Sequence, residues 1–503
     1  MSDKEFDYLI VGGGLSGSIT SLLLKKELPE AEIGLIEKYP GIGGITLSQK
    51  TGGYYMDSIY MFPGIRQFLD YLSIDFDLYQ YHNAFYSINL IEPGSRYRLI
   101  LKPDISSIES SLARDFPGDR VKIKKFWQDC LTLEKNFLDL KTKMSIGEFI
   151  KMPFVSPKFL KTSGLTYDKF IRSYKFKDPQ LTRLLNTFSG LSNLPPGKVN
   201  ALIPVIAIVS LTKGCYRAPG LFDELNRIIE KKLNSRGVKL YLKTQIRTFH
   251  KKNKIFHLET GEAKSFTARN VISSIDTQKF FLDIASKDMF PASYIRRIQQ
   301  LEMTLSCFII KLVIKTKEEL PDDTGQILFY AGNDTFSIMY NKAVRNLDPL
   351  DDSRYHFAVN IKRSSNKNHY YLEVLCVPVS YQYWKAIANR SSKDYRNEVK
   401  RWESFYMDKL DEYLIPGIRT KIQEKKIITP VGFGGMFNLT EGTCYDMAQI
   451  NSQSGLKRPG FKTPVPGLYH NKTVHGIYGA FFQSFLLADY LLKGKINQYR
   501  YRY

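Results

Sequence analysis

Residues 6–44, FDYLIVGGGLSGSITSLLLKKELPEAEIGLIEKYPGIGG, leave the chain few ways to fold. Tyr8, Leu9, Ile10 and Val11 form a short apolar run suited to a buried parallel strand, and this run enters Gly12-x-Gly14-x-x-Gly17 directly. The pattern beyond it predicts a helix over 18–28. In such a unit the first glycine permits the tight turn and the second lets the backbone approach a pyrophosphate. The third removes the side chain that would hold helix and strand apart. Leu15 and Ser16 stand at the helix entrance, where unpaired N–H groups face the phosphates. A second apolar run, 33–36, ends at Glu37, twenty residues beyond Gly17, followed by Lys38. A carboxylate there accepts hydrogen bonds from a ribose and repels a 2′-phosphate. These residues predict a bound dinucleotide, and the absence of a second GxGxxG makes one dinucleotide simpler than two.

Composition narrows the class. A chain of 503 residues is long enough for about three domains and a substantial core. With 43% hydrophobic and 24% charged residues it is globular rather than disordered. The net charge of +22 and the 32 Tyr and 32 Phe suit an anionic membrane surface, nucleic acid or a Lys-rich soluble protein. Cys130, Cys215, Cys307, Cys376 and Cys444 form no CxxC pair, which points to a reducing compartment, and the histidines form no metal-binding pattern. The nucleotide fold begins within ten residues of Met1, leaving no room for a cleaved signal. The longest apolar stretch, 199–211, is broken by Asn200, Pro204 and Ser210 and falls short of the ~20 residues a spanning helix needs. The expected location is therefore cytoplasmic, with membrane association left open.

Glycine pairs recur at Gly43-Gly44 and at Gly52-Gly53, the second running into a strand-like segment that contains Asp57, Tyr60 and Phe62. Further on, Gly220 precedes a helical pattern over 221–233, a strand over 238–242, Ile246, a hairpin over 253–261 and a returning strand over 270–276. Near the end, 463–469 turns into a strand, and Gly476 and Gly479 introduce an apolar helix over 480–492. Together these stretches resemble the flavoprotein superfamily of amine oxidases, phytoene desaturases, carotenoid isomerases and retinol saturases. The resemblance implies FAD as the cofactor. It places Gly43 and Gly44 against the FAD, Asp57 in the segment beside the flavin ring, the Ile246 backbone at the adenine, and Gly476 and Gly479 over the flavin. Two departures stand out: Ile45 where the family carries Arg, and His470-Asn471-Lys472 where it carries an acid.

The expected fold class is α/β, a Rossmann-type FAD-binding domain with a mixed-sheet plus helical substrate domain. The discontinuous FAD-binding domain takes 1–63, 212–300 and 425–503, and the substrate domain takes 64–211, a helical cap, and 301–424. Helical patterns cover 108–114, 126–138 and 395–414, and strands rich in β-branched and aromatic residues, 305–313 and 370–377, suit one wall of a cavity. Over 144–176, Phe149, Phe154, Phe159, Phe170, Tyr174 and Phe176 interleave with Lys and Arg, as in a peripheral contact with an anionic membrane or in a packed cap with a solvated face. No nucleic-acid module accompanies the charge. The resemblance implies an FAD-dependent oxidoreductase acting on a long apolar, isoprenoid- or polyene-like substrate. A flavin amine oxidase, prompted by residues 473–476, and a non-enzymatic escort that holds prenylated partners are the alternatives. Catalytic side chains stay unassigned, because an acid beside a turn (Asp57), a lone histidine (His475) and the aromatics Tyr60 and Phe62 are more often structural. Electron acceptor and oligomeric state are open.

Overall fold

The computed structural model describes residues 5–51, 54–57, 62–80, 84–138, 156–218, 222–261, 264–364, 368–454, 457–472 and 476–496. The apolar run at the start forms strand β1 (Glu5–Val11), the helix is α1 (Leu15–Glu27), and the second run is β2 (Ile33–Ile36). β1 lies at the centre of a sheet, parallel to β2 on one side and to Ser265–Ser273 on the other. Lys239–Tyr241 and Leu468–His470 extend the parallel part, and the hairpin Ile246–Lys252 with Ile255–Thr260 adds antiparallel strands. β1 is apolar toward both faces because both are covered. Ile10 packs with α1, the helix Asp223–Ser235 and the C-terminal helix Gly476–Leu491; Phe6, Leu9 and Val11 pack on the other side with Phe249, Phe280 and Ile298. This is the Rossmann-type layer order that the sequence predicts.

A second sheet runs in the order Ile422–Ile428, Ser306–Lys315, His369–Val379, His356–Arg363, Thr324–Ala331, Ala84–Glu92, Ser95–Leu101. It is mixed: Thr324–Ala331 runs parallel to Ala84–Glu92 and the other pairs are antiparallel. Its side chains alternate faces, as a strand's two-residue period requires. Phe308, Ile310, Leu312, Leu372 and Val374 pack against Trp402 and Tyr406 of the long helix Ser392–Tyr413. Cys307, Ile309 and Ala358 point the other way, toward a layer of helices that includes Ile105–Asp115, Arg120–Leu138 and Leu202–Lys213.

Within the aromatic and basic stretch, Phe149 and Phe154 lie outside the described residues. Phe159, Phe170 and Tyr174 are buried in the core of the helical layer, where Phe126 meets both Phe170 and Tyr174 at ring-packing distance. Lys158 pairs with Asp129. The rings of this part are therefore spent on the cap's own core. Among the described residues no helix is long and apolar enough to cross a membrane.

Candidate active site

The glycine turn shows why each glycine is needed. Gly12 has φ +106°, and a Cβ there would lie 2.7 Å from the Ile275 side chain. A Cβ on Gly17 would overlap the Gly12 carbonyl oxygen and stand 2.5 Å from Ser274 Oγ. Gly14 differs, because a Cβ there would meet no atom within 4 Å. Gly14 caps α1 without any side-chain hydrogen bond, so the first turn keeps its N–H groups for a ligand in that open space. The doublet closes over the turn: Gly43 N–H donates to the Gly13 carbonyl at 2.7 Å, and the position of a Gly44 Cβ is 3.3 Å from Gly14 Cα. Gly43 has φ +127°, and a side chain there would press on Asn226.

Glu37 is buried at the end of β2. Its Oε2 accepts the Gly13 N–H at 2.6 Å and its Oε1 accepts the Tyr39 N–H at 2.9 Å. Burial raises its carboxyl above the usual range, against the pull of these two backbone donors. Glu37→Ala is expected to leave the Gly13 N–H buried and unpaired, costing about 1–3 kcal/mol of stability and weakening flavin retention. Urea unfolding with and without added FAD checks both.

Most of these groups border one cavity of about 600 Å³, a size usual for small-molecule sites. Gly12, Gly14, Leu15, Ser16, Glu37 and Lys38 line it at one end, with Gly43, Gly44 and Ile45 beside them. Ile246 enters where its strand begins, and Gly476 and Gly479 enter from the start of the C-terminal helix. Two of the residues singled out in the sequence stand elsewhere. Gly17 serves the contact between helix and sheet. Asp57 is buried outside the lining, its Oδ1 accepting the Phe222 N–H at 2.6 Å and the Ser48 hydroxyl at 3.0 Å, its Oδ2 paired with Lys362 at 3.0 Å. A buried carboxylate needs such partners, and they use up Asp57 Oδ1 and Oδ2 within the protein. His475 and Tyr60 lie outside the described residues. Phe62 falls in a short strand that pairs with Cys215–Arg217.

The 470–472 segment divides its work. His470 Nε2 lies 2.9 Å from Thr277 Oγ1, and burial lowers the imidazole to about 3, so it is neutral. Asn471 Nδ2 donates to Thr20 Oγ1 at 2.7 Å and Ser484 Oγ at 3.1 Å, tying α1 to the C-terminal helix. Lys472 lines the cavity 3.6 Å from Asp446 Oδ2, which lines it too. An acid therefore does reach this part of the cavity, from a different segment than the resemblance implies.

Away from the glycines the wall becomes apolar. Leu191, Ile203, Ile206 and Leu211 of the helical layer face Ile309, Leu375 and Phe433. Set into this apolar wall are Lys311 and Glu373, 0% and 4% exposed, directly opposite each other on neighbouring strands. Lys311 Nζ is 3.6 Å from Glu373 Oε2 and donates to the Asp57 carbonyl at 2.9 Å. Asn360 Nδ2 lies 3.3 Å from Glu373 Oε1. Burial pushes Glu373 up to about 7 and lowers Lys311. Among the described residues no cluster of His, Cys, Asp and Glu could hold a metal ion.

No family model matches the chain. Over 495 residues, 93% of this chain and 76% of the relative, it is 21% identical to a chloroplastic prolycopene isomerase of Daucus carota. Over 479 residues, 90% and 89% of the two chains, it is 22% identical to a 4,4′-diapolycopen-4-al dehydrogenase of Metabacillus indicus. Among solved structures it shares the fold of an oxidoreductase from Methanosarcina mazei, with TM-score 0.63 and 15% identity over 96% of this chain and 99% of that one. It shares the fold of a putrescine oxidase as well, at TM-score 0.65 and 13% identity over 97% and 99%. In sequence the chain is similar to these two enzymes, and in fold to these two oxidoreductases.

The open cradle at Gly14 and the uncapped first turn of α1 fit a dinucleotide's phosphates in this chain. Three of its cavity groups escaped the sequence reading: Lys311, Glu373 and Asp446. For the first two a signal was available. Each is a lone charge within an apolar run, CFIIKLVI and YYLEVLCV, and a charge at such a place faces either solvent or a buried partner. Asp446 lies on an irregular loop and carried no comparable signal.

Proposed function

We propose that this chain is an FAD-dependent oxidoreductase acting on a long apolar, isoprenoid- or polyene-like substrate. In this reading residues 1–63, 212–300 and 425–503 carry the cofactor, and 64–211 with 301–424 form the substrate half. The observation that carries it is the single cavity that joins an open glycine cradle to an apolar room between helical layer and sheet. Sequence likeness to two enzymes named for linear polyenes supports the substrate class. Glu37 would hold the ribose, the N-terminus of α1 the pyrophosphate, and the backbone at Ile246 the adenine. When bound, FAD supplies the redox chemistry, accepting a hydride at N5 in desaturation or serving in reduced form in isomerisation. The protein's share is to align the substrate carbon and to keep water out of the apolar room. Ile203, Ile206, Ile309, Leu375 and Phe433 do this by packing around a long, methyl-branched chain.

The test is the identity of what the purified protein releases on denaturation, read by absorbance and mass. Released FAD, with an apolar lipid beside it, is the expected result. A protein that stays colourless after incubation with FAD would turn the reading toward an escort that holds prenylated partners.

A further inference from the structure

The cavity wall holds one ion pair that stability does not explain. A buried salt bridge is on average worth no more than apolar residues of the same volume, and buried carboxylate oxygens are ordinarily hydrogen-bonded. Glu373 Oε2 has no hydrogen-bond partner among the described residues. Lys311 could supply one, but it is held from the far side by the Asp57 carbonyl, which leaves Nζ at 3.6 Å, an ion-pair distance too long for a hydrogen bond. Asn360 fixes Oε1 from the opposite neighbour strand. The carboxylate is thus oriented and neutralised, and one oxygen remains available on the lining of an apolar room.

We propose that Glu373 is the proton acceptor of the reaction, with Lys311 as the residue that positions and charges it. This rests on the FAD and polyene reading above. In a desaturation, bound FAD would supply the oxidant that takes a hydride from one substrate carbon. The C–H bond on the adjacent carbon breaks, its electron pair forms the new C=C bond, and its proton goes to Glu373 Oε2. Two hydrogens would leave, one as hydride and one as proton, the two electrons going with the hydride to the bound FAD. The proton then leaves Glu373 for solvent. Asp57 and Lys362, ion-paired beyond Lys311, lead that way, the Lys362 side chain being 19% exposed.

The groups that set Glu373's charge come from several strands. Lys311 is opposite, Lys426 is one strand further at the same level, Asp57 and Lys362 lie behind Lys311, and Cys307 lies on the same lining. Burial pushes Glu373 up to about 7, with Lys311 and Asn360 pulling the other way. The base is active when ionised, so the rate of flavin reduction should rise with pH and level off above that value.

The experiment is stopped-flow flavin reduction in the FAD-loaded protein, without oxygen, using phytoene and prolycopene as probes. Wild type, Glu373→Gln, Glu373→Asp and Lys311→Met are compared across pH about 5 to 9. FAD content and the infrared band of a protonated buried carboxyl are recorded for each. The expected result is unchanged FAD content, a ~10²–10⁴-fold slower reduction in Glu373→Gln, and loss of both the rising pH limb and the infrared band. Glu373→Asp should recover part of the rate, and Lys311→Met should move the limb to higher pH. Reduction of Glu373→Gln at the wild-type rate, or a slow rate that keeps the wild-type limb, would overturn the proposal while leaving the polyene reading in place. A wild type that neither probe reduces removes the reading, and Glu373's role with it.

Discussion

Gly17→Ala is expected to yield protein that is unfolded or free of flavin, with a stability loss above about 4 kcal/mol. The added methyl would overlap the Gly12 carbonyl oxygen and crowd Ser274 Oγ at 2.5 Å. The first of these is backbone and cannot rotate away, so α1 would have to lift off the sheet and uncover Ile10, Ile19 and Leu22. Gly14→Ala is the control. Its methyl enters open space, so the apoprotein should unfold within about 0.5 kcal/mol of wild type while flavin retention falls. Urea unfolding and flavin absorbance, taken together on both variants, separate a packing role from a ligand-facing one. Equal behaviour of the two would contradict the site as described.

The second large effect concerns the buried pair. Lys311→Met leaves Glu373 buried without its counter-ion, and the expected cost is about 3–5 kcal/mol at pH above about 7. Lys311→Met with Glu373→Leu should recover most of it, because a matched apolar pair removes the uncompensated charge. The pH dependence has a definite sign. Glu373 is raised from the ordinary 4.5 to about 7 in the folded protein, so between these values the folded state binds the extra proton. Stability therefore falls as pH climbs through that window, by roughly 3 kcal/mol for a shift of this size. In Lys311→Met the folded carboxyl titrates higher and the decline extends to higher pH. In the double variant this contribution disappears. Denaturant titrations at pH about 5 and about 8 compare the three proteins, and a Lys311→Met variant as stable as wild type at the higher pH would contradict the assignment.

The glycine-rich strand–turn–helix unit was legible because its information is local. A strand, three spaced glycines and an acid occupy one continuous stretch, and the structure brings Gly12, Gly14 and Glu37 to one cavity. Boundaries moved where glycines carry two duties. The helix predicted from 18 begins at Leu15, and the one predicted from 480 begins at Gly476, since the glycines that admit the ligand are themselves within or next to the first turn. Glycine's poor helix propensity hides this from a periodicity argument. Asp57 was placed beside the flavin by resemblance alone, and its binding to Phe222 and Lys362 depends on segments 165 and 305 residues away in the chain. Lys311 and Glu373 meet only through strand register, which no single segment encodes. The aromatic and basic stretch shows the same limit: alternation of rings and cations fits a membrane face or a packed cap, and tertiary contact turned Phe159, Phe170 and Tyr174 inward.

The most direct measurement of the central claim is flavin absorbance when phytoene, prolycopene or putrescine is mixed with the purified, FAD-loaded protein in the absence of oxygen. Bleaching by a polyene and none by the amine is the expected result; bleaching by the amine alone would overturn the polyene reading.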